Sequence, residues 1–146
     1  MTQLLWRISA APPGTWDVLG LRVESTFSAE AGWPAFFNGI PAGWYPTVIE
    51  AAVQEVGAAS NAVGVSFPGD LDAFDLTQRP PIPADAVEIY CHSLPVESLP
   101  RVVFYQILLA FGSRLAECPG QPPEWYLAMH TALQKLRRKL GRELAA

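Results

Sequence analysis

Three carboxylates, Asp70, Asp72 and Asp75, stand within six positions of one another in the stretch FPGDLDAFDLTQRPP, residues 67–81. Prolines bound this stretch, and Arg79 is its only basic residue. Carboxylates at this density can bind a metal ion, transfer a proton or face a positively charged partner. The spacing of the three residues and their neighbours must decide between these chemistries.

A metal ion is the first possibility, because hard cations such as calcium prefer several carboxylate oxygens. An EF-hand loop beginning at Asp70 needs an oxygen ligand at its fifth position, glycine at its sixth and glutamate at its twelfth. This sequence has Phe74, Asp75 and Pro81 at those positions. The spacing therefore favours an acidic, solvated loop over a metal site.

Zinc would need ligands from Cys91, His92, Cys118 and His130. Cys91 and His92 are adjacent on a predicted strand, so their side chains point to opposite faces and do not readily share one ion. The sequence also has no C-x-x-C pair, no P-loop and no glycine-rich dinucleotide fingerprint. We therefore predict no metal and no cofactor.

Cys91, His130 and Asp85 are the residues that could form a nucleophilic triad. No motif fixes them within reach of one another, and no G-x-S-x-G elbow is present. The sequence thus favours a protein that is not an enzyme and has no catalytic residues. A small hydrolase that depends on Cys91 or on the carboxylates is the alternative.

The charges are distributed unevenly along the chain. Residues 1–134 contain five Lys/Arg and thirteen Asp/Glu, whereas residues 135–146 contain five Lys/Arg and one Asp/Glu. Because of the basic run KLRRKLGR, residues 135–142, a nucleic-acid-binding module that uses the last helix is a further alternative. The acidic pI of about 5.1 favours instead a solvated face that pairs with the acidic body, without direct nucleic-acid binding.

A second candidate contact surface is the uncharged stretch GWPAFFNGIPAGWYP, residues 32–46, which contains five aromatic residues. Such rings are usually core residues, although Trp and Tyr also dominate interface hot spots. We interpret this stretch as a loop that is mostly buried. Trp44 and Tyr45 are the pair expected to reach solvent and to contact a partner.

The β-rich segments surround these candidate sites. Residues 3–9 and 16–25 are rich in strand formers and flank the turn AAPPGT, which predicts a hairpin. Residues 62–67 and 86–93 are two further short strands bounded by turn residues. The sequence therefore predicts four strands in a small, mostly antiparallel sheet.

Three helices are predicted. Residues 46–57 and 98–117 each have an early proline and an apolar face, with Ser98 as a cap and Pro100 in the first turn of the second helix. The last helix has a leucine-rich stripe at helical spacing. The stripe consists of Met129, Leu133, Leu136, Leu140 and Leu144. The order of elements does not alternate, which predicts one α+β domain over residues 1–146 with its last two helices packed together.

Composition and termini indicate the compartment. Half of the residues are hydrophobic, and the only cysteines are Cys91 and Cys118, which is too few for a disulfide scaffold. The amino terminus has no basic region, and Arg7 interrupts its apolar run. We therefore expect a soluble, cytoplasmic protein without a membrane span.

The two C-terminal helical segments carry a resemblance to a known family. The runs VVFYQILLAFGSRLAE and EWYLAMHTALQKLRRKL resemble the C-terminal part of immunity proteins from bacterial contact-dependent growth inhibition systems. The resemblance implies a small acidic cytoplasmic protein that binds and blocks a cognate toxin domain. It implies no catalytic residues. The acidic loop suits a toxin with a cationic surface, which points to a nuclease. In this interpretation Asp70, Asp72 and Asp75 provide complementary charge, and Trp44 and Tyr45 provide buried contact area.

Overall fold

A computed structural model of the chain describes residues 6–26, 31–60, 62–92 and 94–145. Within these residues the fold is α+β, with six strands in two antiparallel sheets and five α-helices. The strands are β1 (Trp6–Ala10), β2 (Leu21–Ser25), β3 (Ala58–Ser60), β4 (Val63–Ser66), β5 (Ala86–Cys91) and β6 (Glu97–Pro100). The helices are α1 (Pro34–Gly39), α2 (Tyr45–Val53), α3 (Asp75–Gln78), α4 (Arg101–Leu115) and α5 (Pro123–Ala145).

The first sheet is the hairpin of β1 and β2, paired from Trp6 opposite Ser25 to Ala10 opposite Leu21. The hairpin predicted around the Pro-Pro-Gly turn is thus confirmed, although its second strand begins at Leu21 and not at Trp16. Residues 3–5 of its predicted first strand lie outside the described residues. Asn38 of α1 lies along the other edge of β2. Its Nδ2 donates to the Val23 carbonyl at 2.9 Å, and its Oδ1 accepts from the Val23 N–H at 2.7 Å. This side chain supplies the two backbone hydrogen bonds that a neighbouring strand would provide.

The second sheet has the strand order β3-β4-β5-β6. Its two central strands coincide with the predicted segments 62–67 and 86–93. The prediction that Ser98 and Pro100 open a helix is wrong in detail, because residues 97–100 complete the edge of the sheet beside β5 and Ser98 pairs with Glu88. Helix α4 begins only at Arg101, and Pro100 at its N-cap makes no side-chain capping bond.

The core lies between the sheets and the three long helices. Helix α4 is its centre, as its wide apolar arc predicts, and Phe104 packs against Phe36, Phe37 and Phe67 with ring centroids 5.6–6.0 Å apart. Helix α5 packs against α2 and α4. Four of the five residues of its predicted stripe are buried, whereas Leu144 is exposed. Glu143 pairs with Arg101, the first residue of α4. Leu144 therefore lies beyond the N-terminal end of α4, where that helix no longer covers it.

Residues 32–46 fold differently from the predicted loop. They form α1 and a 3-10 turn at Ala42–Trp44, and Trp33, Phe36 and Phe37 are buried, as expected for a core stretch. Across the part of the chain that the structure describes, no helix combines the length and apolar character needed to cross a membrane.

Candidate functional site

The candidate contact surface is the segment 68–79, which we call the acidic loop. It connects β4 to the approach of β5 and contains a 3-10 turn at Pro68–Asp70 followed by the one-turn helix α3. Asp70 and Asp72 are exposed and Asp75 is half-buried. The structure therefore brings the three predicted carboxylates together on one short connection.

Asp70 fixes the start of the acidic loop. Its Oδ2 accepts from the Phe67 N–H at 2.6 Å, and its Oδ1 accepts from the Gly57 N–H at 3.1 Å. A Cβ at position 57 would lie 2.8 Å from Asp70 Oδ2 and 2.6 Å from the Val65 carbonyl oxygen. Only glycine permits this approach, so the loop is held against the chain that leaves α2.

Asp72 and Asp75 fix each other. The Asp75 N–H donates to Asp72 Oδ1 at 2.8 Å, and the Asp72 N–H donates to Asp75 Oδ2 at 2.9 Å. This reciprocal arrangement resembles a capping box, in which two side chains satisfy two otherwise free N–H groups at a helix start. The N–H of Asp75 lowers the pKa of Asp72 from its usual value. Asp72 is therefore a carboxylate at neutral pH.

The far end of the loop is held by an ion pair. Arg79 donates through both terminal nitrogens to Glu88 on β5, at 2.6 and 2.7 Å. This hydrogen-bonded arginine lowers the pKa of Glu88. Because Arg79 is committed to Glu88 and is the only cation of residues 68–79, the negative charge of the loop is not balanced within it.

Two apolar side chains stand among these carboxylates, and the sequence analysis did not single them out. Phe74 is 71% exposed and Leu76 is 48% exposed. A four-residue helix has too little surface to bury both. The sequence signal that could have identified them is two large apolar residues inside a short acidic stretch. The acidic loop thus combines negative charge with an exposed aromatic ring.

Trp44 and Tyr45 have different positions. Trp44 is half exposed, as expected. The expectation that Tyr45 reaches solvent is wrong: its ring is fully buried 5.7 Å from that of Phe111, its hydroxyl donates to the Phe37 carbonyl, and burial raises its pKa. Trp44 precedes α2, whereas Asp70 contacts Gly57 beyond its other end, so a helix about 13 Å long lies between them.

The residues of the alternative chemistries are also placed. Cys91 is half-buried at the end of β5, and His130 is on the exposed side of α5. Among the described residues no hydrogen bond joins the side chains of Cys91, His130 and Asp85. Nor does any group of three His, Cys, Asp or Glu side chains there have the arrangement of a metal site.

The basic run of α5 pairs in part with the acidic body. Lys135 Nζ lies 3.0 Å from Glu50 Oε1, and Lys139 Nζ lies 3.6 Å from Glu55 Oε2. Arg137, Arg138 and Arg142 are exposed. The predicted pairing between the basic run and the body is therefore confirmed for its two lysines.

The contacts and charges of the acidic loop are the basis for assigning it a role. The resemblance of the last two helices to immunity proteins stays a prediction. No protein-family model, no curated protein and no solved structure matches this chain.

Proposed function

We propose that this chain is an immunity protein that neutralises a cognate toxin domain by docking the acidic loop onto a positively charged face of it. The observation that carries the proposal is the exposed Phe74 ring among carboxylates that are held by backbone hydrogen bonds. A nuclease domain has such a face, because it binds phosphate. The chain inhibits by occupying this surface in the cytoplasm, and it needs no catalytic residue and no cofactor.

Rigidity supports this role. Ordering a loop on binding reduces affinity, so a loop that is already ordered binds more tightly for the same contacts. Asp70 ties the acidic loop to Gly57, Asp72 and Asp75 close α3, and Arg79 fixes the end to Glu88. The carboxylates thus hold the loop in place and still present their charge outward.

Charge and the apolar ring have different tasks in the complex. Unbalanced carboxylates attract a cationic partner from a distance and raise the association rate, with a strong dependence on salt. An exposed aromatic ring that enters a pocket of the partner slows dissociation, because the burial of its apolar surface contributes to the binding free energy. Trp44 is available as a contact at the other end of α2, whereas the buried Tyr45 serves to anchor that end.

The first test removes the charge of the loop. The protein is titrated with the product of the gene immediately upstream, and the double variant Asp72→Asn, Asp75→Asn is compared with the native chain. Asparagine still accepts the two N–H groups, so the loop keeps its shape. Asp70 is left in place because both of its oxygens accept N–H groups. We expect association to slow about tenfold or more and its salt dependence to flatten.

The second test removes the ring. Phe74→Ala is expected to speed dissociation about 30-fold, which corresponds to about 2 kcal/mol at a hot spot. Glu117→Gln and Leu127→Ala are matched controls, because Glu117 is an exposed carboxylate and Leu127 is 70% exposed on α5.

Unchanged affinity and unchanged salt dependence in the charge variant would remove the acidic loop from the proposed interface.

A further inference from the structure

A pocket of about 440 Å³ lies beside the β1–β2 hairpin, and its lining shares no residue with the acidic loop. Arg7, Arg22 and Glu24 from the hairpin and Trp16 from the turn that joins its strands form its polar and aromatic wall. Ala31, Gly32, Pro34, Ala35 and Leu94 are among the residues that complete it. Its volume is within the range typical of sites for small ligands.

The register of the hairpin explains why the charged side chains meet. Arg7 lies opposite Glu24 and Ser9 opposite Arg22, so all four point to the same face of the two-stranded sheet. Glu24 is placed between the two guanidinium groups, with its Oε2 2.8 Å from Arg7 Nε and its Oε1 3.6 Å from Arg22 Nε. The hydrogen bond from Arg7 lowers the pKa of Glu24, so this carboxyl is ionised at neutral pH.

The two arginines retain donors that the described residues do not use. A guanidinium has five N–H donors, and Arg7 donates only one of them, to Glu24, within the described chain. Arg22 Nε has no hydrogen-bond partner there and is itself shielded from solvent, whereas the Arg22 side chain as a whole is 26% exposed and can reach a ligand through its other atoms. Glu24 balances one of the two positive charges. Arg7, Arg22 and Glu24 together therefore give the lining one net positive charge. The carboxylate of Glu97 lies next to this lining, since its Oε1 would be 2.9 Å from a Cβ at Gly32.

Trp16 gives the pocket an aromatic wall. The indole is 54% exposed and rests on Gly39, where an added Cβ would lie 3.2 Å from its Cζ3 atom. The absence of a side chain at position 39 thus lets the ring pack close to α1. A large indole held in this way offers stacking surface that the protein itself does not cover.

We propose that this pocket binds a small planar anion, an aromatic or heteroaromatic ring that carries a carboxylate or a phosphate. The anionic group lies against Arg7 and Arg22, where paired N–H donors suit the two oxygens of such a group. The ring stacks on Trp16. This activity goes beyond inhibition of a toxin and is independent of it.

The experiment measures binding of benzoate and phenyl phosphate by calorimetry and by the indole N–H signals in NMR spectra. Benzyl alcohol lacks the charge, and cyclohexanecarboxylate lacks the flat ring. We expect saturable binding of at least one planar anion, at least tenfold weaker binding of both comparison compounds and a shift of the Trp16 signal. The tighter of the two anions identifies the head group. Absence of saturable binding for both anions overturns the proposal.

Variants then locate the site. Arg22→Gln and Trp16→Leu are each expected to weaken binding about tenfold or more, since a charge-assisted hydrogen bond or a stacked ring is lost. Arg114→Gln is the matched control, because Arg114 is exposed in the last turn of α4. Thermal melting checks that each variant is folded. Arg7→Gln, whose side chain is 67% exposed in the native chain, replaces Arg22→Gln if that variant does not fold. Equal affinity in the arginine variant used and in the control overturns the proposal.

Discussion

The acidic loop and the junction of α2, α4 and α5 both concentrate charged side chains, but they use them in opposite ways. In the loop, Asp70, Asp72 and Asp75 accept hydrogen bonds from backbone N–H groups at most thirteen residues away. At the junction, charged side chains from segments more than forty residues apart bind one another. We call this second group, formed by Glu55, Arg101, Lys139 and Glu143, the interhelix cluster.

Arg101 is the centre of the interhelix cluster. It lies 3.0 Å from Glu55 and 2.9 Å from Glu143, and it also donates to the Ala84 carbonyl at 2.8 Å. Lys139 joins through Glu55, and its Nζ is 5.9 Å from the centroid of the Tyr105 ring. One arginine thus connects the end of α2, the start of α4 and the last turns of α5.

The difference separates two uses of charge. Carboxylates that accept from backbone N–H groups stabilise the acidic loop and its attachment at Gly57, and their outward charge is left for a partner. Charges that meet across helices stabilise the tertiary structure and have little left to offer outside. We therefore expect variants of the interhelix cluster to change global stability and variants of the acidic loop to change local order and binding.

The largest expected effect is that of Arg101→Met, which keeps an apolar stem but leaves Glu55 and Glu143 without their cation. We expect the free energy of unfolding to fall by about 2 kcal/mol, less than for a fully buried pair because the arginine side chain is 20% exposed. Urea unfolding measures the loss. Arg114→Met on the same helix is the control, and an equal loss in both variants would contradict a special role of the cluster.

A smaller, opposite effect is expected for Tyr105→Phe. The Tyr105 ring is fully buried, and its hydroxyl has no hydrogen-bond partner among the described residues. Removing this unpaired group should raise the free energy of unfolding by about 1 kcal/mol. Urea unfolding near pH 8 tests this increase. A loss of stability would show that the hydroxyl is paired in solution.

The same variant should also be less sensitive to alkali. Burial raises the pKa of the Tyr105 hydroxyl, so the folded state disfavours ionisation of this group. Its titration therefore leaves the free energy of unfolding unchanged below about pH 10, where unfolded tyrosine ionises, and lowers it above that pH. Urea unfolding near pH 8 and near pH 11 should show a smaller decline in Tyr105→Phe than in the native chain. Some decline remains, because burial raises the pKa of Tyr45 as well. Equal declines in the two proteins would contradict the contribution of Tyr105.

The smallest global effect is expected for Asp72→Ala. The Asp75 N–H loses its acceptor, so amide exchange over residues 72–78 should accelerate while urea unfolding of the whole protein stays unchanged. In the native chain this bond is present above the usual carboxyl pKa and is lost as the pH falls through the lower pKa of folded Asp72. The Asp75 amide signal in NMR spectra should therefore titrate below about pH 4. A cooperative change of the whole spectrum in that range would contradict a purely local role.

Long, periodic elements of the fold could be predicted from the sequence. The hairpin follows from strand formers on both sides of a Pro-Pro-Gly turn, and α2, α4 and α5 follow from helical spacing, because long-range packing acts there on a strong local pattern. Strand β3 has the sequence AAS and β6 has ESLP, neither of which contains good strand formers. Both depend on pairing with their neighbours in the sheet, so local signals do not reveal them.

The same division applies to the candidate site. The D-x-x-D spacing of Asp72 and Asp75 is close to that of a capping box, so a local signal for their bonding to each other's backbone exists, although the sequence analysis predicted only a solvated loop there. The contact of Asp70 with Gly57 cannot be predicted from the sequence, because it joins the loop to a separate segment. Burial of Tyr45 beside an exposed Trp44 depends on the direction of α2 relative to α4, which is set only by tertiary packing.

Asn38 has a consequence for how the protein behaves at high concentration. Strand edges with free N–H and C=O groups are templates for adding a strand from another molecule, which leads to aggregation. Because Asn38 occupies both polar groups of Val23 at the centre of β2, a foreign strand finds no continuous ladder on that side of the hairpin. A single amide side chain from a helix thus protects a short sheet against self-association.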